Sequence, residues 1–293
     1  MKKTNRIYQI VLCCIFTVLC VAVLYPFALM IGVSLSDEQD IIRHGYHLIP
    51  KQICFDAYEY IFKNPTSIIN AYKTTIIFSA VGTALSVLLM SMFAYPLTRK
   101  NLPGKKYISF YLYFTMLFSG GLVPSYILNT QYLHLGDSIL IYIIPGLIGG
   151  YSVFMLRSFF QGLPEEMFEA MKIDGANHYN IFFKTVLPLS KPVIATVAVT
   201  TFLGKWNDWY TAMIYINDEE LISLQYYLQR IMKNIELLQT LEGSTISMVD
   251  TSSIPTETVR MAMAIVVAGP ALLVFPFFQK YFVRGLTLGS VKG

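Results

Sequence analysis

The run IYQIVLCCIFTVLCVAVLYPFALMIGV, residues 7–33, lies between Arg6 and Asp37 without one charged side chain. A bilayer core about 30 Å thick is crossed by roughly 20 apolar residues in a helix. The run exceeds that length, so it predicts a transmembrane helix. Lys2, Lys3 and Arg6 would suit a signal peptide, but the apolar part of such a peptide has only about 7–15 residues. No A-x-A cleavage site follows. A lipoprotein would need a small residue ahead of Cys14 or Cys20, where Cys13 and Leu19 stand. A retained span is the expectation.

The remainder of the 293 residues is similar in kind. Hydrophobic residues make up 55%, charged residues 14%, and the mean hydropathy is +0.53. Soluble domains carry about 25% charged residues, and so little charge cannot coat a soluble globule. Apolar runs predict five more spans: one charge-free between Lys73 and Arg99 and starting a turn earlier near Ile68, then 107–128, between Asp137 and Arg157, 192–214, and between Arg260 and Lys280. Lys205 and Asp208 interrupt the fifth. The predicted fold is an all-α membrane protein of six transmembrane helices. A first segment, 1–67, holds the leading helix and an external stretch; 68–293 forms the transmembrane domain proper. Cys13, Cys14, Cys20 and Cys54 read as small buried hydrophobes rather than a disulfide framework. No block of five or more basic residues occurs, which leaves nucleic-acid binding without a footprint.

Lys and Arg set orientation. Loops with Arg99, Lys100, Lys105 and Lys106 read as cytoplasmic, as do both termini. The inner side then holds 14 Lys/Arg against 4 Asp/Glu, and the outer side 8 against 14. Several spans carry helix breakers: Gly120, Gly121 and Pro124 in the third, Pro145 in the fourth, Pro270 and Pro276 in the sixth. In lipid, such breaks persist only where protein or a water-filled cavity satisfies the freed backbone groups; a packing kink is the plainer reading. Gly146 and Gly150 have the small-xxx-small spacing of close helix contacts.

The inner loop between spans four and five reads GLPEEMFEAMKIDGA over 162–176. Pro164 at the start, Glu165 and Glu166 in the first turn, and Gly175 as a left-handed stop predict a short helix. Met167, Ala170, Met171 and Asp174 recur at helical spacing on one face. A helix this short needs something to pack on. A second short helix is expected from Asn177, as its cap, to a stop at Leu187 and Pro188.

Glu169-Ala170-Met171, Asp174-Gly175-Ala176 and Leu187-Pro188 together resemble the EAA loop, here 164–188, of binding-protein-dependent ABC importer permeases. The strings at 119–124, 156–160, 206–209 and 283–293 are similar to the carbohydrate-importer branch, in particular its permeases for oligosaccharides from complex polysaccharides, related to the smaller maltose permease subunit. Two positions depart from the family pattern: Met171 replaces the usual alanine, and Thr185 stands where an aliphatic residue is usual. The resemblance implies a type I importer architecture in which the EAA loop forms a coupling helix. It implies ATPase-coupling roles for Glu169, Ala170, Met171, Asp174, Gly175, Leu187 and Pro188. The implied partners are a homologous permease in a heterodimer, two ATP-binding subunits that use ATP and Mg, an external solute-binding protein, membrane lipid and an oligosaccharide. The implied location is a bacterial cell membrane. An amphipathic helix lying on headgroups is the competing reading of 165–174; its four acidic residues argue against it.

The chain shows no chemistry of its own. Gly204-Lys205 is followed by Trp206, not Ser or Thr, so there is no Walker A. His44 and His47 lack the companions of a metal site. Asp37, Glu38 and Asp40 read as a wetted membrane margin without burial. No catalytic or metal residue and no cofactor is assigned. A substrate path is assigned to Trp206, Asn207, Asp208 and Trp209, with Gly120, Gly121 and Pro124, because amides and flat rings suit sugar hydroxyls and pyranose faces. Lys205 and Asp208 are spaced to pair, and an interfacial aromatic belt competes for Trp209 and Tyr210. The external segment 217–258 shows a helical pattern at 221–238, then a Ser/Thr-rich stretch at 243–258. The same importer for amino acids or phosphonates, a membrane enzyme and a passive channel are the other functions weighed.

Overall fold

The computed structural model describes residues 2–242 and 256–289. Most of the Ser/Thr-rich stretch, 243–255, and the end of the chain, 290–293, lie outside the described residues. Every regular element among the described residues is helical. The chain divides into two compact units, one of Met1–Pro65 with Leu228–Pro270 and one of Thr66–Tyr227 with Ala271–Gly293.

In the first unit, α1 (Lys2–Ser34) is a helix of 33 residues. Its apolar part, Tyr8–Ser34, is long and apolar enough to cross a membrane, and none of the side chains in its most apolar stretch is buried within the chain. Cys13, Cys14 and Cys20 are accordingly exposed free cysteines, not buried hydrophobes. Only the last turn packs. Gly32 lies where a Cβ would sit 2.3 Å from the Leu48 carbonyl oxygen, so glycine is required there for backbone to meet backbone. Helix α2 (Glu38–His44) is capped by Asp37, whose carboxylate accepts from the Gln39 N–H at 2.6 Å. Helix α3 (Asp56–Ile61) buries Ala57 and Ile61.

Glu38 departs from the solvated margin that the sequence suggests. Its carboxylate accepts four hydrogen bonds of 2.7–2.9 Å: from the Glu257 N–H, the Thr258 N–H, and the hydroxyls of Thr256 and Thr258. These groups begin the last helix, α14 (Glu257–Gly289). The first turn of a helix has free N–H groups and a partial positive charge, and Glu38 supplies both a partner and a counter-charge. Half-burial alone would push its carboxyl up, but the four hydrogen bonds outweigh it and hold it below its ordinary value of 4.5. A depressed folded value means stabilisation that is complete above 4.5 and is lost as pH falls through the lower folded value. Glu38→Gln is expected to cost about 1–2 kcal/mol, given partial exposure. Thermal unfolding of the purified protein at pH 7 checks this, and the difference from wild type should shrink in acid.

In the second unit, α4 (Pro65–Ala94), continued by the 3-10 turn Pro96–Thr98, is also long and apolar enough to cross a membrane. The third run breaks where the glycines predict. Helices α5 (Lys105–Leu117) and α6 (Leu122–Ile127, extended by a π turn at Leu128–Tyr132) meet at 114°. Gly121 turns the chain with φ of 85°.

The fourth run is not one helix. A 3-10 turn at Ile139–Tyr142 gives way to non-helical backbone through Pro145, and α7 starts at Gly150 and ends at Gln161. Gly146 therefore shares no helical face with Gly150, and the expected small-residue pair does not form. Gly150 alone makes the close approach, since a Cβ there would meet Met116 at 2.8 Å.

Helices α8 (Glu165–Ile173) and α9 (His178–Ile181) come next. The chain does not stop at Leu187-Pro188: a π turn at Phe182–Val186 leads into α10 (Leu187–Leu189). In a regular helix a proline ring collides with the carbonyl four residues back, and the wider turn just before Pro188 gives that clash room. The next helix, α11 (Lys191–Trp206), is bent 80° from 178–189. Helix α12 (Tyr210–Tyr215) completes the fifth run after a break at 207–209, and α13 (Leu224–Glu242) realises the helical pattern beyond it. One core joins Met90, Leu112, Leu156, Phe168, Phe182 and Val197; another gathers Phe78, Ile141, Ala212 and Ile222.

Candidate functional site

The first candidate site is α8 with its flanks. The end of this helix closes as a full glycine cap. The Gly175 N–H donates to the Lys172 carbonyl at 3.0 Å and the Ala176 N–H to the Met171 carbonyl at 2.9 Å, the paired bonds of a Schellman motif. Gly175 itself has φ of 75°, as its place in the sequence predicts. Asn177 caps the next helix through its side chain, accepting from the Asn180 N–H at 2.9 Å.

The packed face of α8 differs from the expected one. Phe168 is buried, Met171 and Ala176 are half-buried, and all three join the core. Met167, Glu169, Ala170, Ile173 and Asp174 stay exposed, with Ile173 at 86%. So Met171 turns inward, away from Met167, Ala170 and Asp174. The reason is Arg99. Its guanidinium lies 4.1 Å from the Phe168 ring centre and 4.5 Å from that of Tyr95, clamped between two aromatic faces. Cation–π contacts of this kind contribute roughly 0.5–2 kcal/mol. Lys100 adds an exposed ion pair to Glu165 at 3.1 Å, and the Tyr95 hydroxyl stands 3.5 Å from His178 Nδ1. Sequence reading used Arg99 and Lys100 only to orient the chain and passed over Phe168. A second apolar phase, Phe168 with Met171, was the signal available. Leu187 is half-buried against the same core, and Pro188 is exposed.

Phe168→Ala is expected to remove about 3 kcal/mol of local packing. Amide hydrogen exchange over 165–176 should then quicken on the order of 100-fold, whereas exchange in α4 should not.

The second candidate site is where the runs break. Lys205 is buried and does not pair with Asp208. Its Nζ donates to the Tyr142 carbonyl at 2.8 Å, a group that the non-helical fourth run leaves without a helical partner. Gly82 makes room for the lysine, since a Cβ there would lie 2.8 Å from its Cε. Tyr142 is held by stacking on Phe78, with ring centres 4.2 Å apart and planes 7° apart. Asp208 instead caps α12, accepting from the Thr211 N–H at 2.9 Å. Asn207 is exposed; its amide nitrogen donates to the Leu203 carbonyl and its oxygen accepts from Gln225 Nε2, each at 2.9 Å. Gln225 went unnoticed in the sequence, where nothing in its local pattern marks it.

Trp206 is 2% exposed and stacks on Phe202, while Trp209 packs edge-on against Tyr210. Gly120, Gly121 and Pro124 are exposed at the break between α5 and α6. The arms beyond the two breaks meet: Tyr126 of α6 stacks on Tyr215 of α12 at 5.7 Å, and Asn129 donates to the Tyr215 hydroxyl. Asp137, outside the spans, is held below the usual carboxylate range by the Asn217 N–H, the Asn217 side chain and the Asp218 N–H. Among the described residues no group of three or more His, Cys, Asp or Glu could hold a metal ion.

Long apolar helices, two of them long enough to cross a membrane, joined to a short polar helix with an exposed face fit a membrane-embedded protein. Residues 2–288 match the family model described as the binding-protein-dependent transport system inner membrane component, and the chain belongs to that family. It is 36% identical over 293 residues to the polygalacturonan/rhamnogalacturonan transport system permease protein YtcP of Bacillus subtilis, with 99% of each chain covered. It is 34% identical over 268 residues to Protein LplC of the same organism, covering 92% of this chain and 89% of that one. A crystal structure of a bacterial ABC transporter involved in the import of the acidic polysaccharide alginate contains a similar chain. That chain has a TM-score of 0.79 and 28% identity, over 95% of this chain and 98% of its own. The chain is thus a membrane-embedded transport subunit and not an enzyme.

Proposed function

We propose that the chain is one permease subunit of an ATP-driven importer for oligosaccharides, crossing the cell membrane six times with both termini in the cytoplasm. The third run counts as one crossing in this reading, its two apolar arms meeting at 114°, and the fourth and fifth runs count as crossings by the length of their apolar sequence. A homologous permease completes the path, an external binding protein delivers the solute, and two ATP-binding subunits use ATP and Mg. The names of the relatives support an oligosaccharide as cargo.

The observation that carries the reading is α8: anchored on one side by Phe168 and Met171, it leaves Met167, Ala170, Ile173 and Asp174 uncovered on the other. A nine-residue helix exposing apolar side chains beside Glu169 is shaped for a protein groove, where Glu169 can accept charge-assisted hydrogen bonds. Gly175 holds the turn that sets the angle of the helix, and the 187–188 segment props it from behind. Closure of the ATPase pair would move α8 as a rigid piece, because its anchors reach α4 through Arg99.

Glu169→Arg combined with Gly175→Val is expected to abolish uptake and copurification of the ATPase subunits while leaving membrane insertion intact. The glycine change alone strains the left-handed position by roughly 1–2 kcal/mol. Wild-type uptake in the double variant would sink the coupling role.

For the path, Asn207 and Asp208 are assigned as lining residues, with Trp209 beside them, Trp206 packed behind and Gly120, Gly121 and Pro124 at the neighbouring break. Asn207→Ala with Asp208→Ala should cut oligosaccharide uptake at least tenfold in a complex that still assembles. Unchanged uptake would remove these residues from the path.

A further inference from the structure

A cavity of about 670 Å³ opens between the end of α4 and the coupling segment. One wall carries Tyr95, Arg99 and Lys100, and the other Glu165, Lys172 and His178. Lys100 is offset by Glu165 at 3.1 Å. Arg99 and Lys172 have no carboxylate within ion-pair distance among the described residues, so the cavity holds an excess of two positive charges.

Arg99 is unusually well fixed. Its guanidinium carbon lies over two rings, Tyr95 at 4.5 Å and Phe168 at 4.1 Å, and its Nε is buried without an acceptor among the described residues. Held in place by the two rings, the guanidinium has N–H groups left to offer, and its planar fork matches the spacing of phosphate oxygens. Lys172 supplies a second, mobile ammonium on the opposite wall. The cavity wall also includes apolar Met92, Leu102 and Phe182. Cationic pockets of this kind at the inner membrane margin suit anionic lipid headgroups.

We propose that this cavity binds a phosphate group, gripped by the Arg99 fork and by Lys172. The phosphate comes either from an anionic phospholipid or from solution; the lipid source rests on the orientation proposed above, and the phosphate chemistry does not. An occupant would bridge α4 to α8 and stiffen the seat of the coupling helix.

The test uses the purified complex of this chain with its partner permease and ATPase subunits. Native mass spectrometry counts retained phosphatidylglycerol, and equilibrium dialysis with radiolabelled inorganic phosphate measures binding from solution. Lys172→Gln leaves the Arg99–Phe168 contact in place, so its effect is not that of an unseated helix; Arg99→Gln removes the fork. Wild type is expected to retain one phosphatidylglycerol that both variants lose, or to bind phosphate at least tenfold more tightly than either. The first result assigns the lipid source and the second the soluble one. Equal lipid retention and equal phosphate binding in all three proteins would overturn the proposal. Neither readout involves uptake, so failure of the importer reading and failure of the phosphate site are distinguishable.

Discussion

A backbone carbonyl released from a helix inside hydrocarbon has no water to bond, and leaving it unpaired costs several kcal/mol. This constraint governs the second unit. The fourth apolar run gives up regular helix between Tyr142 and Gly150, and the molecule answers with a lysine. Lys205 reaches the Tyr142 carbonyl, Gly82 lacks the side chain that would block it, and the Phe78 ring holds Tyr142 in place. A charge that looks misplaced in an apolar segment is thus the donor that lets a neighbouring segment unwind. The π turns at 128–132 and 182–186 are further departures from regular helix.

The segment around α8 obeys a different logic. Its helix has too few turns to persist alone, so its C-terminal end and one face are fixed. Gly175 closes one end, Asn177 caps the helix beyond it, and Phe168 with Met171 seals the inner face. The part left free is a compact patch with apolar and acidic character.

The signals that were legible in the sequence are local. Gly120-Gly121 breaks the third run, Gly175 adopts the left-handed turn, and Asn177 caps through its side chain, each because a single residue type settles the nearby backbone. The phase of α8 was not legible, since Met167 and Phe168 offer two apolar faces and only distant Arg99 decides between them. The partner of Lys205 was equally hidden. Asp208 lay at helical spacing and invited pairing, while the true acceptor is a carbonyl 63 residues away. Charge-free runs show where apolar chain lies; they do not show whether it stays helical, as the fourth run makes plain. Side-chain geometry showed which face of the loop's helix is packed and which is exposed.

Glu38 has a further consequence, for the order of assembly. Its carboxylate completes the first turn of α14 across 220 residues of sequence, so this cap waits for nearly the whole chain to be synthesised. A chain truncated before Thr256 leaves α2 with a half-buried carboxylate and no donors. The cap therefore acts as a completeness check: α2 reaches its final electrostatic state only when the first turn of α14 is present.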